Sequence, residues 1–407
     1  MSGAAPLRSR QIIIAGGGIA GLTAALAFAA RGFPVRLFER APALHEFGAG
    51  LQLSPNATRL LARLGVLDAL RPVAVRPEAV VLRRADSLRE IARVPLGSDA
   101  EARWKAPYLV LHRADLHGAL LAHARRVQDI EITTGATVRD AAFHPMGVTA
   151  SIDVDGAVRE VGGRLLVGAD GVWSSLRALA GSGESHFVGR NAWRATIRTD
   201  GVAYAALQEF ADRNLVTTFL HPQAHMVAYP IRAGSAINLV AFTRGKAMER
   251  NWSERRTPDA LLSALHGADD RLLQVIRESG QWTAWPIHTV DPTRQWTLPQ
   301  GLALIGDAAH AMTPFAAQGA ASAIEDAYLL AQNVAAQPDA VAIALQRYEA
   351  ARRARVISVA RRGRLNEFAW HAAGPVALAR DLFLKARGPQ RLAADLDWLY
   401  GWAPDGG

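Results

Sequence analysis

No cysteine occurs among the 407 residues, which excludes a disulfide framework, a thiolate metal site and a cysteine nucleophile together. A reducing compartment such as the cytoplasm fits that absence best. Zinc-ligand spacing is missing too, so no metal is expected. There is no internal repeat, low-complexity tract or obvious linker, and the two to three domains that this length suggests are expected to be interleaved rather than strung in a row. One long uncharged run occurs, the 19 residues from Ile12 to Ala30 behind Arg8 and Arg10. Its length alone would suggest a membrane span or a secretory signal. Its glycines argue otherwise: Gly16, Gly17, Gly18 and Gly21 cluster where a run of isoleucines gives way to an alanine-rich helical pattern, which is a nucleotide-binding arrangement. No transmembrane segment is expected.

Acidic residues are in deficit, 37 against 46 basic ones, for a net charge of +9. This balance favours anionic partners in general, from nucleic acid to phosphate cofactors and carboxylate substrates, and selects none. The densest basic stretch is Arg352, Arg353, Arg355, Arg361, Arg362 and Arg364 around Val356, Ile357 and Val359, and its helical spacing predicts a solvated helix face. No interleaved aromatic platform accompanies it, so nucleic acid is not an expected partner. With 50% hydrophobic and 20% charged residues, the chain is globular by composition.

The periodicity predicts a βαβ opening: a buried parallel strand over Gln11–Ala15, a helix over Ile19–Arg31 stopped by Gly32, and a strand over Val35–Glu39. A helix is expected over Pro55–Leu70, strands over Arg76–Pro95 and a helix over Ala114–Arg126. The stretches Ile130–Val138, Val148–Val154 and Val158–Val167 alternate like antiparallel strands. A separate β-rich layer follows over Asn191–Thr243, then helices over Pro258–Ser279, a short strand over Leu302–Ile305 and a buried helix over Gly319–Ala336.

Gly16, Gly18 and Gly21 form G-x-G-x-x-G between strand and helix, with Glu39 closing the second strand. The first glycine permits the tight turn, the second admits a pyrophosphate to backbone N–H groups, and the third lets helix and sheet pack closely. Glu39 suits an unphosphorylated adenosine ribose, as in FAD or NAD. A second constellation is Gly168-Ala169-Asp170-Gly171 followed by Ser174 and Arg177. The third is Gly306-Asp307-Ala308-Ala309-His310, then Thr313-Pro314-Phe315 and Gln318-Gly319-Ala320.

These three motifs, in this order and separation, resemble the group A flavoprotein monooxygenases, particularly the branch holding salicylate hydroxylase, 3-hydroxybenzoate 6-hydroxylase and 6-hydroxynicotinate 3-monooxygenase. The resemblance spans nearly the whole chain and includes Gly48-Ala49-Gly50, Ser54-Pro55-Asn56, His112-Arg113-Ala114-Asp115-Leu116, Ala192-Trp193-Arg194 and Trp398-Leu399-Tyr400. It implies an α/β fold in which a Rossmann-like FAD-binding domain (residues 1–75, 105–185 and 286–370) is interleaved with a β-rich substrate-binding domain (76–104 and 186–285), before a C-terminal helical segment (371–407). It assigns to FAD the turn Gly16, Gly18, Ile19, Ala20 and Gly21, the ribose end Glu39 and Arg40, and further along Arg113, Asp170, Asp307, Pro314, Gly319 and Ala320. His310 belongs to the flavin motif by this match and is expected in a structural or cofactor-adjacent role rather than as a base.

With one dinucleotide fingerprint in the sequence, FAD is expected as the resident cofactor and NADH or NADPH as a transient co-substrate. The resemblance implies hydride transfer to flavin, oxygen addition to give a C4a-hydroperoxide, and hydroxylation of a small phenolic or hydroxylated aromatic carboxylate. A phenolate reacts best, so a proton acceptor near its hydroxyl is desirable. His225 and Tyr229, four residues apart in an alternating stretch and hence on one strand face, are the expected substrate-activating residues, with Pro314 at the reactive edge of the flavin. Phe315 stands where some relatives carry a polar residue, which puts their particular substrates in doubt. Trp193 and Arg194 are expected either to shape the pocket or hold a carboxylate, or to pack at a domain interface. The rival readings are a flavin monooxygenase of a larger aromatic or polyketide-like substrate and, in another class, a non-catalytic nucleotide- or nucleic-acid-binding protein. A homodimer is left open.

Overall fold

The computed structural model describes residues 10–44, 50–247 and 255–404. Gly48 and Ala49 lie outside the described residues. Two large sheets organise the chain. The first has six strands in the order Thr297–Leu298, Leu302–Leu304, Leu165–Gly168, Ile12–Ala15, Val35–Glu39 and Ile130–Thr134, all parallel except the first. Ile12, Ile13 and Ile14 are completely buried, as expected of a parallel strand covered on both faces. The helix Ile19–Ala29 covers one face, and it is covered in turn by Gly319–Ala336, so both helices are apolar around most of their circumference.

The second sheet has eight strands, in the order Arg255–Arg256, Trp282–Thr289, His186–Arg198, Ala236–Arg244, Ala224–Ile231, Leu215–Leu220, Ala79–Arg84 and Glu90–Pro95. All eight residues of Ala224–Ile231 are buried. Ala224, Met226 and Ala228 pack beneath the helices Val202–Gln208, Asp259–Ala264 and Asp270–Glu278, whereas Val227 and Tyr229 face the other way, toward Phe315 and Trp285. The period of two in side-chain direction thus divides one strand between a packed core and a cavity wall.

Some expectations change in detail. Ile130–Val138 is not one antiparallel strand: Gly135, at φ +65°, separates Ile130–Thr134 in the parallel sheet from Ala136–His144 in a three-stranded antiparallel sheet. Val158–Val167 splits likewise, into Ala157–Gly163 and Leu165–Gly168. Alternation cannot tell one strand from two joined by a single turn residue. The first helix also ends at Ala29, two residues before Arg31. Toward the C-terminus the long helix Val341–Trp370 packs on Gly319–Ala336, and the helix Gly374–Ala394, broken at Gly388, packs on the edge strand Glu90–Pro95 of the eight-stranded sheet. Among the described residues no helix is long and apolar enough to cross a membrane, and the uncharged run from Ile12 is a strand, a turn and a helix.

Candidate active site

A cavity of about 980 Å³ runs between the two large sheets. At the parallel-sheet side it begins on the glycine turn. Gly16 has φ +107°, and a Cβ there would fall 2.4 Å from the Ala169 carbonyl oxygen; a Cβ on Gly21 would fall 1.9 Å from the Gly16 carbonyl oxygen. Larger residues therefore cannot hold this turn so close to the neighbouring strand. The helix Ile19–Ala29 has no capping side chain and no acidic residue in its first turn, so its orphan N–H groups and partial positive charge are left for a ligand. Glu39 accepts hydrogen bonds from Gly17 N–H at 2.7 Å and Ala41 N–H at 2.9 Å, bracing the turn from the end of the second strand.

The second and third motifs meet through Arg177, which is buried and donates to the carbonyls of Val172 (2.9 Å), Asp307 (3.2 Å) and Ala308 (2.8 Å). Desolvation lowers its pKa, and Asp170 and Asp307 partly restore it. Asp170 Oδ2 accepts from Ser175 N–H at 2.9 Å, while its Oδ1 is buried without a partner in the protein. Asp307 is exposed at the cavity wall.

Behind these turns lies a buried polar network. Asp326 accepts from Gly306 N–H (2.8 Å), approaches His310 Nε2 at 2.6 Å and receives Arg352 Nε at 2.6 Å. Burial alone would raise Asp326, yet His310 and Arg352 outweigh it and hold the carboxyl at about 2. Arg352 also pairs with Glu325, which Arg355 reaches at 2.6 Å. Glu325 accepts from Asn56 at 2.6 Å, Asn56 donates to Gln318, and Gln318 donates to Ser54 at 2.9 Å. The network fixes the start of the helix Gly319–Ala336 against the cavity. It also corrects the expectation of a solvated arginine face: Arg352 is completely buried, Arg355 nearly so, and Arg361 and Arg364 are exposed. His310 is buried in this network, not aimed at a substrate.

At the eight-stranded sheet the cavity is lined by Val227, Val240, Phe242, Trp285, Phe315 and Tyr400, with His225 and Tyr229 among them. The His225 ring stacks on Phe242 at 4.8 Å and meets the edges of Phe315 at 5.3 Å and Trp370 at 4.8 Å. Its Nδ1 lies 3.0 Å from Nε2 of His371. Desolvation, aided by His371 and Arg190, drives the His225 pKa well below its ordinary value, and desolvation raises that of Tyr229. Both are uncharged at neutral pH. Arg194 lines the cavity with its guanidinium 3.9 Å from the Trp285 ring centre, whereas Trp193, its neighbour, points into the opposite core and donates to Thr243 at 2.9 Å.

Of the residues singled out in the sequence, Gly16, Gly18, Ile19, Ala20, Glu39, Arg40, Arg113, Asp170, Asp307, Gly319 and Ala320 line this one cavity, together with Pro314, His225 and Tyr229. Gly21 does not: it packs behind the turn. Sequence reasoning missed His371, Trp370, Asn366, Glu325 and Asp326, which come from helices far along the chain and carry no local motif.

An uncapped glycine turn, an acidic residue at the end of the second strand and an orphaned carboxylate oxygen on Asp170 fit a dinucleotide, and the apolar wall beyond them leaves room for a ring. Such a site on such a fold defines a dinucleotide-binding protein with room for a ring-shaped ligand beside the dinucleotide. Residues 9–363 match the FAD binding domain family. The chain is 34% identical to 3-hydroxybenzoate 6-hydroxylase 1 of Aquipseudomonas alcaligenes over 96% of its own length and 97% of that protein. It is 33% identical to the 3-amino-4-hydroxybenzoate 2-monooxygenase PtnB3 of Streptomyces platensis, over 96% of both chains. Among solved structures, a salicylate hydroxylase substrate complex superposes with a TM-score of 0.80 at 24% identity, covering 97% of this chain and 96% of that one. The chain belongs to the FAD binding domain family of flavoprotein monooxygenases, and FAD is its cofactor.

Proposed function

We propose that this protein hydroxylates a small aromatic ring bearing a hydroxyl group, using NADH or NADPH and O2. The observation that carries the reading is the continuity of the cavity from the glycine turn to a wall of Val227, Phe242, Trp285 and Phe315 that holds His225 and Tyr229. Relatives named for hydroxylated benzoates support the choice of ring. Bound FAD would supply hydride acceptance and oxygen activation. Around it, Gly16, Gly18, Ile19 and Ala20 would receive the pyrophosphate, Glu39 the adenosine ribose, and Asp170 and Asp307 the remainder of the chain. The start of the 18-residue helix at Gly319 would set partial positive charge near the ring system where reduction accumulates negative charge. Pro314 would wall the reactive edge, and Arg194 would attract a substrate carboxylate.

The same reading divides the chain into FAD-binding segments 1–75, 105–185 and 286–370, substrate-binding segments 76–104 and 186–285, and a C-terminal helical segment, and sets it in the cytoplasm. The test measures NADH and NADPH oxidation by the FAD-loaded protein, with oxygen uptake and peroxide followed across hydroxybenzoates, hydroxynicotinates and larger phenols. A ligand that accelerates oxidation without matching peroxide confirms a hydroxylase and names its substrate. Acceleration matched fully by peroxide for every ligand refutes the hydroxylation.

A further inference from the structure

The ring protons of His225 can be placed by following its hydrogen bonds outward. His225 is completely buried. Its Nδ1 lies 3.0 Å from His371 Nε2, and His371 Nδ1 lies 3.3 Å from Nη2 of Arg190. Arg190 is buried as well, with Nε ion-paired to Glu367. His225 Nε2 is buried without a partner in the protein, on a side chain that lines the cavity.

A guanidinium has donors and no acceptor, so His371 Nδ1 is the accepting, unprotonated nitrogen. Both rings are neutral near pH 7: desolvation with Arg190 and Arg244 brings His371 down to about 4, and His225 lies well below its ordinary value. A neutral imidazole carries one proton. That of His371 is therefore on Nε2 and is donated to His225 Nδ1, which leaves the proton of His225 on Nε2. The other groups facing the pair are Arg244, Glu367 and His221. The Glu367 carbonyl would favour the reverse tautomer of His371, and the Arg190 N–H aimed at Nδ1 opposes it.

We propose that Arg190 and His371 are positioning residues that lock His225 as an Nε2–H donor, so that this wall of the cavity recognises a substrate oxyanion, such as a phenolate oxygen, and does not remove the substrate's proton. Reversing the chain to make Nε2 a base would place a second proton-bearing nitrogen against Arg190. Tyr229, on the same strand face, carries a neutral hydroxyl that can add a second hydrogen bond to the same anion. The substrate then binds ionised or releases its proton to water. The nature of the ligand rests on the hydroxylase reading; the tautomer does not.

The experiment is a long-range 1H–15N correlation spectrum of the FAD-loaded protein labelled with 15N-histidine, with His225 and His371 assigned from His225→Gln and His371→Gln. Nε2–H tautomers for both rings are expected in the wild type. His371→Gln, whose amide can still donate to Nδ1, should keep the Nε2–H form of His225; His371→Glu, which can only accept there, should convert it to Nδ1–H. Bound 4-nitrophenol provides a second readout: the donor should favour its ionised form by roughly 10- to 100-fold, the range for a hydrogen bond to a charged group, and His371→Glu should abolish that preference. An Nδ1–H tautomer for wild-type His225, or 4-nitrophenol bound with its free-solution pKa, overturns the proposal. The expected tautomers in a protein that hydroxylates no phenol would support the lock while refuting the hydroxylase reading.

Discussion

Replacing Arg352 by methionine would leave two carboxylates, Glu325 and Asp326, buried with much of their compensating charge removed. Breaking a buried ion pair from one side costs about 3–5 kcal/mol, because the remaining partner must be neutralised or stay uncompensated. With an unfolding entropy of roughly 2.1 cal/mol/K per residue, a chain of this length has about 0.85 kcal/mol/K at the midpoint, so the expected fall in Tm is about 4–6 °C. Arg361→Ala, an exposed arginine of the same helix, should stay within about 0.5 kcal/mol, less than 1 °C. Since Asp326 also holds Gly306 N–H, the loss should reach the cavity, and flavin should leave Arg352→Met before the chain melts. The double variant R352M and D326N, which removes both charges of the Arg352–Asp326 pair and leaves Glu325 with Arg355, should recover part of the lost stability. Melting followed by circular dichroism and by flavin release checks all of this. An Arg352→Met protein melting within 1 °C of wild type with its flavin retained would refute the reasoning.

Further outcomes follow from the same geometry. His225→Ala and Tyr229→Phe should leave FAD bound but divert NAD(P)H oxidation toward peroxide by severalfold or more; unchanged coupling in both would remove them from substrate activation. Glu39→Ala frees the Gly17 and Ala41 N–H groups and removes the expected ribose acceptor, so flavin retention through dialysis should fall about tenfold or more, consistent with a lost hydrogen bond to a charged group. Because the pKa values of His225 and His371 are depressed in the folded protein, their contribution to stability is complete above the unfolded value of about 6.5. It is lost as pH falls toward about 4, where the unfolded chain binds protons that the folded chain refuses. His371→Gln should flatten the change in urea midpoint between pH 7 and pH 5, and equal slopes in the two proteins would contradict it.

What could be read from the sequence was whatever depends on neighbours in the chain. Gly16, Gly21 and Glu39 are legible because a turn this close to Ala169 tolerates no side chain and the acid follows at the end of the next strand. His225 and Tyr229 are legible because a period of two puts both on one face, and the buried, cavity-lining strand Ala224–Ile231 bears that out. The Arg352–Arg364 stretch shows where local reading stops. Its spacing is that of a helix, but which arginine is buried is decided by Glu325 and Asp326 on another helix, and nothing within the stretch distinguishes Arg352 from Arg361.

The same distinction governs the chemistry of His225. The sequence places an imidazole on the cavity wall and can say nothing of which nitrogen carries the proton, since that is settled by His371 and Arg190, 146 residues away in one case and across the neighbouring strands in the other. A histidine with a carboxylate behind it would be held ready to accept a proton; this one has a second histidine and a guanidinium behind it, donors in series, and is held ready to give a hydrogen bond. The carboxylate that is nearby, Glu367, takes the far side of Arg190 and so strengthens the orientation instead of reversing it. Substrate preference at this wall should therefore track the stability of the ligand's anion: among phenols of equal size, those with lower pKa should bind more tightly, and a flat dependence would show that the donor is not used.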